Sequence, residues 1–216
     1  MNISKPILCA ILLAAHGPNS FTASAGGSIP LARTPRDPSP FDRAIEQFGG
    51  RIVDPIQFPN DVNGFQNYLA SSGVRAFGAA QLTRPNHPAL AAKLGFSSFL
   101  PPQAWWPRGA ALALLAQKIE NLVGEPVEVR NWWRPPAYNR DPKVGGAEHG
   151  DHLEGFALDL DYGSSAARRR AERWLRSLVV SNSWLQLSLG LGDRTTHVGI
   201  LSPRGHREWR YASYPR

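Results

Sequence analysis

The sequence predicts an α+β protein with a small antiparallel sheet flanked by helices. In the first half of the chain, apolar residues recur at helical spacing between proline and glycine boundaries. In the second half, short segments alternate between apolar and polar residues, as half-buried strands do. The chain has no internal repeat, so helices packed against one small sheet are the simplest architecture.

The composition is that of a folded, basic protein. Its 216 residues allow one domain, or one domain with an extension. Hydrophobic residues make up 42% of the chain, which is enough to bury a core and excludes wholesale disorder. The formal net charge of +7 predicts attraction to polyanions such as nucleic acid, anionic lipid or anionic cell-wall polymer.

The N-terminus has the pattern of a secretory signal peptide, predicted over residues 1–25. Lys5 precedes an apolar run of about ten residues, and the segment ends in Ala23-Ser24-Ala25, a small-x-small cleavage pattern. That run is far shorter than the roughly 20 residues that span a bilayer, so no transmembrane anchor is expected. We therefore expect an exported protein, periplasmic or extracellular; the alternative is a short buried N-terminal helix or strand. Cys9 is the single cysteine, so the mature chain would contain neither a disulfide nor a thiol nucleophile.

Four helices are expected in an N-terminal helical part, residues 41–125, which follows a Pro-rich linker over residues 26–40. Ser39 and Pro40 have the residue types of a helix N-cap and a first helical position. Glycines follow each helical segment and predict where it ends. The predicted segments run from Ser39 to Gly49, from Asp61 to Gly73, from His87 to Gly95 and from Pro107 to Gly124.

Strand patterns begin at Pro126 and define a second part, residues 126–216. Val127 and Val129 alternate with charged residues. Two further alternating segments cover residues 156–161 and 195–200, and an Arg-rich helix is predicted between them, from Ser165 to Leu178.

The two later strands carry a candidate metal site. Asp159 and His197 each lie on a strand face whose neighbours are mostly small residues. If the strands pair, the carboxylate and the imidazole meet in one cleft, and His152, in a glycine-flanked loop, can supply a third ligand. Two imidazoles and one carboxylate with an open fourth position favour a catalytic Zn²⁺ ion. Such an ion activates water for attack on a carbonyl, so hydrolysis is the predicted chemistry.

The segment from His152 to Asp159, HLEGFALD, resembles a known family signature. It is similar to the H-x-x-G-x-A-x-D pattern of the zinc D-Ala-D-Ala carboxypeptidases and related murein endopeptidases. The likeness covers roughly Phe77 to Trp209 and is strong from Val127 onward. The matching flanks are Arg134, Pro136, Tyr138, Asn139, the segment Val144-Gly145-Gly146-Ala147, His197-Val198, Arg207 and Trp209.

The resemblance implies a hedgehog-type α+β fold and an exported zinc peptidase. Its substrates would be the stem or cross-link peptides of peptidoglycan. The resemblance also implies His152, Asp159 and His197 as the zinc ligands and Arg134 as a cation that binds the substrate, for example through a C-terminal carboxylate. Whether a D,D or an L,D bond is cut, whether the cut is terminal or internal, and the oligomeric state all stay open.

The chain departs from this family in residues that bear on proton transfer. Gly150 stands where relatives usually have Ser, and Arg194 stands where many have a general-base Glu. Others carry H-x-D or H-x-H around the last ligand, where this chain has Gly199 after His197 and Thr195 before it. The expected metal ligands are therefore complete, whereas the usual proton-transfer partner is missing.

Several residues near the signature have competing interpretations. Asp193, in a turn, is the first candidate for the missing base, with Glu148 and Asp161 behind it. Asp161 could also replace Asp159 as the ligand or orient a ligating imidazole. His149 is expected to be exposed or to lie outside the ligand set.

Three other features have two interpretations each, one functional and one in which the residues only pack or face solvent. Arg134 is a substrate-binding residue or a surface arginine stacked on a tryptophan. The tryptophan pairs at residues 105–106 and 132–133 could line a glycan groove, but such residues are more often packing. The arginines at positions 168–170, 173 and 176 are expected on the solvated side of their helix.

Three functions follow in order of preference. The first is the exported zinc peptidase, and the second is a wall-binding module on the same fold that keeps a structural metal and has lost turnover. The third, a basic nucleic-acid-binding protein, is disfavoured because no base-stacking motif accompanies the arginines and an exported protein rarely meets DNA. We expect peptidoglycan peptides and anionic wall polymer as partners, and no nucleic acid.

Overall fold

The computed structural model describes residues 38–213. The predicted signal peptide and all but the last three residues of the predicted linker lie outside these described residues. The described residues form one compact unit, and its main core draws side chains from both the helical part and the part that begins at residue 126. No helix within residues 38–213 is long and apolar enough to cross a membrane.

Seven α-helices occur among the described residues. Their bounds are α1 Pro40–Gln47, α2 Val62–Ser71, α3 Ala79–Leu82, α4 Pro88–Lys93, α5 Trp106–Val123, α6 Pro136–Asn139 and α7 Ser165–Ser181. The five helices that the sequence predicts correspond to α1, α2, α4, α5 and α7. The sequence did not predict α3 and α6, because helices of four residues are too short to show a helical period.

Local side chains set the helix ends as the sequence predicts. Ser39 and Asp42 form a capping box, in which each side chain accepts a hydrogen bond from the other residue's backbone N–H. Asp61 caps α2 by accepting a hydrogen bond from the backbone N–H of Gly64 at 2.7 Å. Gly124 ends α5 in the left-handed conformation, with φ of 68°.

Five strands form one mixed sheet, which confirms the α+β class but corrects the expectation of an antiparallel sheet. The strands are β1 Val127–Asn131, β2 Ala157–Tyr162, β3 Ser188–Leu191, β4 Thr195–Gly199 and β5 Arg207–Arg210, in the order β1-β2-β4-β3-β5. All neighbours are antiparallel except β3 and β5, which are parallel. Both edges of β4 are already occupied, by β2 and β3, so β5 returns along the far edge of β3.

The helices and the sheet share a core on one side of the strands. α5 is buried along nearly its whole length and packs against α1, α7, β1 and β2, while α7 packs on β2 and β4. Leu158, Leu160 and Val198 belong to this core and are each 1% exposed. Because side chains alternate along a strand, Asp159 and His197 point to the opposite face of the sheet.

Candidate metal centre

The pairing of β2 with β4 brings the two strand residues of the candidate site together. Asp159 and His197 are direct partners in the antiparallel register. Gly190 on β3 is the next residue in this row, opposite His197, and Trp209 on β5 follows Gly190. The alternating pattern of the two segments correctly predicts that Asp159 and His197 share one face of the sheet. Their direct pairing is set by the register that the structure shows.

His152 reaches the same point from a short 3-10 turn, Asp151–Glu154, that precedes β2. Gly155 ends this turn with φ of 69°, a conformation that favours glycine. The segment after β1 holds the turn in place. The backbone N–H of Arg134 donates to the carbonyl of His152, and the indole N–H groups of Trp132 and Trp133 donate to Gly155 and Leu153.

Burial decides between the two interpretations for two of the four tryptophans, Trp132 and Trp106. Trp132 is 1% exposed and stacks on Phe65 of α2 with ring centroids 5.4 Å apart. Trp106 is fully buried in the same core. These two residues are therefore packing residues rather than the wall of a glycan groove, and Trp132 also supports the turn that presents His152.

Three potential ligand atoms converge at the centre of the site. Nε2 of His152, Oδ1 of Asp159 and Nδ1 of His197 lie 3.1 Å from one another in each of the three pairs. The side chains are almost enclosed, with exposed fractions of 6%, 14% and 6%. This His-Asp-His group is able to hold a metal ion.

Hydrogen bonding fixes which nitrogen of His152 faces the other ligands. Nδ1 of His152 lies 2.6 Å from the carbonyl oxygen of Trp132. A carbonyl only accepts hydrogen bonds, so Nδ1 carries the proton and Nε2 presents its lone pair to the centre. Such an outer partner both orients a ligating imidazole and increases its basicity.

The second oxygen of Asp159 has its own partners. Oδ2 accepts hydrogen bonds from the guanidinium of Arg134 at 2.5 Å and from Nδ2 of Asn131 at 3.3 Å. An irregularity in the pairing between Val129 and Asn131 places Asn131 opposite Asp159. Arg134 thus lies beside the three ligand candidates, and it is paired with Asp159 rather than stacked on a surface tryptophan. Its predicted role in substrate binding stays a prediction.

The three ligand candidates have shifted pKa values. Burial would raise the pKa of Asp159, but His152, His197 and Arg134 outweigh it and hold that pKa well below its usual range. Burial and the nearby Arg134 lower the pKa of His152. Burial would also lower the pKa of His197, yet the carboxylates of Asp151 and Asp159 reverse this effect and raise it.

A cavity of about 470 Å³ opens onto the three ligand atoms. Arg134, Arg204 and Arg207 contribute positive charge to its wall, and Trp209 and Tyr211 contribute aromatic rings. The glycine-rich segment of residues 145–150 forms another side of the cavity, where Asn139 donates a hydrogen bond to the carbonyl of Ala147 at 2.9 Å. The site is therefore accessible to a ligand larger than water.

The structure does not bring the predicted general base to this cavity. Asp193 lies in the exposed turn between β3 and β4 and borders a separate cavity with Tyr162 and Ser164. The extended β4 strand carries the chain away from that turn before it reaches His197, so the two residues lie at different points along the sheet.

Glu148, His149 and Asp161 also lie apart from the three ligand atoms. Glu148 and His149 are exposed beside a smaller cavity that includes Leu153. Asp161 shares the face of Asp159 but is bound to the hydroxyl of Thr195, and its carboxylate lies 3.4 Å from Nε of Arg130. The triad thus uses Asp159, in agreement with the signature.

Sequence reasoning missed Asp151, the residue before His152. Its side chain is 1% exposed, and its carboxylate accepts hydrogen bonds from two hydroxyls and two guanidiniums, those of Ser188, Ser202, Arg204 and Arg207. Burial alone would raise its pKa, but the contacts with His197, Ser202, Arg204 and Ser188 outweigh burial and hold the pKa far below its usual range. The sequence shows only an acidic residue next to a ligand histidine. It does not indicate which side chains bind the Asp151 carboxylate.

Comparisons with protein-family models, with curated proteins and with solved structures give no match for this chain.

Proposed function

We propose that this protein is a zinc-dependent peptidase with a hedgehog-type fold that hydrolyses peptidoglycan stem or cross-link peptides after export. The observation that carries the proposal is the meeting of His152, Asp159 and His197 at mutual distances of 3.1 Å beside an open cavity. The sequence signature around His152 and Asp159 supplies the substrate class.

The donor set suits zinc. Zn²⁺ would be held by Nε2 of His152, Oδ1 of Asp159 and Nδ1 of His197, which lie 3.1 Å from one another and are ligand types that zinc accepts. Three protein ligands beside a cavity would leave a bound zinc ion open to water or substrate, as in catalytic zinc sites. When bound in such a site, zinc lowers the pKa of a water ligand to about 7 and polarises a carbonyl.

Two other residues at the cavity are suited to binding the substrate and an oxyanion. Arg134 holds Asp159 through Oδ2 and lies at the cavity wall, where it also contributes positive charge toward a substrate carboxylate. Tyr211 lines the same cavity, and burial together with the charge of Asp159 raises the pKa of its phenol. The phenol is therefore protonated near neutral pH and is able to donate a hydrogen bond to an oxyanion.

Proton transfer is the weak step of this proposed mechanism. Among the residues that the structure describes, the acidic ones that line the cavity are Asp151, Asp159 and Glu208. Asp151 is held by four donors, and Glu208 is bound by two nitrogens of Arg176 at 2.7 and 2.9 Å. A positioned general base typically contributes about 10²–10⁴-fold to a rate, so we expect slow turnover.

Mass spectrometry of defined muropeptides tests the proposed activity. The zinc-loaded protein should remove a terminal residue from a stem pentapeptide or convert a cross-linked dimer into monomers. Asp159→Asn should abolish the products, whereas Asp161→Asn, on the same strand face but outside the triad, should retain them. Intact muropeptides after prolonged incubation with a fully zinc-loaded sample would reject the enzymatic proposal.

A wall-binding module with a structural metal is the second candidate function. The engagement of Asp151 and Glu208 in ion pairs favours it, because neither carboxylate is poised to move a proton. Binding to isolated sacculi without release of peptides would support this function. In that case His152→Ala should lose the metal and unfold, because binding free energy in structural sites is also folding free energy.

A further inference from the structure

A glycine two residues after the last ligand candidate lies against a buried carboxylate. Gly199 follows His197 on β4, and a Cβ atom placed at residue 199 would lie 2.2 Å from Oγ of Ser188 and 3.1 Å from Oδ2 of Asp151. No side chain at position 199 fits unless these groups move. The space beside His197 that a residue on β4 would fill is therefore taken by Asp151, which comes from the turn before β2.

The Asp151 carboxylate is fixed in this place by donors from outside its own turn. Its Oδ1 accepts hydrogen bonds from Ser202 at 2.7 Å and Arg204 at 2.8 Å, and its Oδ2 accepts them from Ser188 at 2.8 Å and Arg207 at 2.5 Å. A buried carboxylate is costly unless it is fully paired. Four donors from β3, β5 and the segment between β4 and β5 meet that requirement.

The same carboxylate faces the far nitrogen of His197. Oδ2 of Asp151 lies 3.6 Å from Nε2 of His197, and Nε2 is buried with no partner at ordinary hydrogen-bond distance within residues 38–213. A carboxylate favours a proton on the nitrogen that faces it. With the proton on Nε2, the lone pair of Nδ1 points toward Asp159 and His152.

We propose that Asp151 is the positioning residue of His197: it holds the Nε2–H tautomer and so makes Nδ1 the metal-binding nitrogen. The two histidines would then bind through opposite nitrogens, His152 through Nε2 because of the Trp132 carbonyl and His197 through Nδ1 because of Asp151. This inference rests on the proposed metal site but not on peptide hydrolysis. The two positions depend on each other, because the absence of a side chain at Gly199 leaves room for the Asp151 carboxylate.

Zinc titration of the Asp151→Asn variant tests the inference. The side-chain amide has the same shape but no negative charge, so in either orientation the preference for a proton on Nε2 of His197 weakens. With its NH₂ group toward Nε2, the amide also favours a proton on Nδ1, which blocks that ligand atom. We expect the affinity for Zn²⁺ to fall about 10–100-fold, the usual effect of changing an outer partner of a metal ligand. The matched control is Ser202→Ala, which removes one donor from Oδ1 and leaves Oδ2 facing His197; its affinity should change less than about 3-fold.

Nitrogen-15 NMR of the imidazoles shows which ring nitrogen of each histidine carries the proton. This measurement would not change if Asp151 only stabilised the fold. In the zinc-loaded wild-type protein, His197 should carry its proton on Nε2 and His152 should carry its proton on Nδ1. A wild-type His197 protonated on Nδ1 would overturn the inference without any variant, so a failure of Asp151→Asn to fold would not prevent the test.

The outcomes separate this inference from the proposed function. Equal zinc affinity in Asp151→Asn and the wild-type protein would overturn the role of Asp151 alone, as would an equal loss in Ser202→Ala. A wild-type protein that binds no zinc would overturn the metal site itself. Zinc binding with the expected tautomers but without peptide cleavage would reject only the peptidase.

Discussion

Asp159 and Asp161 share one face of β2, two residues apart, yet their carboxylates belong to different groups. Asp159 places Oδ1 3.1 Å from a nitrogen of each triad histidine. Asp161 is bound to the hydroxyl of Thr195 and lies 3.4 Å from the guanidinium of Arg130. The separation follows from the strand register, because Asp159 is paired with His197 and Asp161 with Thr195.

The first prediction uses this difference to test the metal site. Asp159→Asn removes the anionic ligand, so the affinity for Zn²⁺ should fall more than about 100-fold, since changes to outer partners alone cost about 10–100-fold. Asp161→Asn should change the affinity less than about 3-fold. Isothermal titration of the two variants and measurement of bound metal by mass spectrometry check both values. Equal losses in the two variants would contradict the assignment of Asp159.

The pairing of Asp159 with His197 is the part of the site that the sequence predicts best. The alternation of apolar and polar residues in both segments fixes which side chains share a face. Burial of both apolar rows excludes a shift of the register by one residue, whereas a shift by two residues would keep the same faces. The sequence does not predict the positions of side chains in a turn, because the conformation of a turn depends on contacts with distant segments. Asp151 is such a case: its hydrogen-bond donors come from residues 37 to 56 positions further along the chain.

The second prediction concerns the pH dependence of metal binding. Zn²⁺ requires a neutral imidazole, and the raised pKa of His197 means that the metal-free protein keeps a proton there above the usual titration range of histidine. Below this pKa, zinc must displace that proton, so the affinity should fall about tenfold for each unit of decreasing pH. The lowered pKa of His152 keeps its imidazole neutral over the same range, so below the pKa of His197 the two imidazoles together should release a single proton. A water ligand on zinc would release a further proton above its pKa of about 7.

Competition titrations between about pH 5.5 and 9 measure this slope, and calorimetry in buffers of different ionisation enthalpy counts the protons released. His149→Ala is the control, because His149 is exposed and lies outside the triad, so the variant should show the same slope. An affinity that is flat over the whole range would refute the raised pKa of His197.

The third prediction concerns the contact between the sheet and the aromatic wall of the cavity. A Cβ atom at Gly190 would lie 2.5 Å from the ring of Trp209, whose centroid is 5.1 Å from that of His197. Gly190→Ala should therefore displace the indole and lower the free energy of unfolding by about 1–3 kcal/mol, as overpacking does. Gly163→Ala is the control, since its Cβ would meet only the flexible end of Glu125, at 3.3 Å.

Urea denaturation compares the stability of these two glycine variants. Gly163→Ala should stay within about 0.5 kcal/mol of the wild-type protein. If Gly190→Ala is as stable as Gly163→Ala, then Trp209 does not pack on β3 in the way described.

The Arg-rich helix shows where charge patterning misleads. The sequence predicts that its arginines lie on the solvated side, and Arg169 and Arg173 are exposed as expected. Arg168 is instead buried: its side chain is 4% exposed and bonds to Glu172 at 3.0 Å and to the carbonyl of Gly192 at 2.6 Å. Alanines at positions 167 and 171 are fully buried on the same helix. Their small side chains leave space for the buried Arg168 side chain, which the charge pattern alone does not predict.

The last prediction tests this buried ion pair through protein stability. Arg168→Met removes a guanidinium partner from the Glu172 carboxylate, whose side chain is 2% exposed. Removing one partner of a buried pair typically costs about 3–5 kcal/mol, and urea denaturation should show a loss of that size. Arg169→Met, one residue away on the exposed side, should remain within about 0.5 kcal/mol of the wild-type protein. The double variant Arg168→Met, Glu172→Leu should recover most of the loss, because it removes the buried carboxylate together with the guanidinium; a double variant as unstable as Arg168→Met would show that the loss comes from packing rather than from charge.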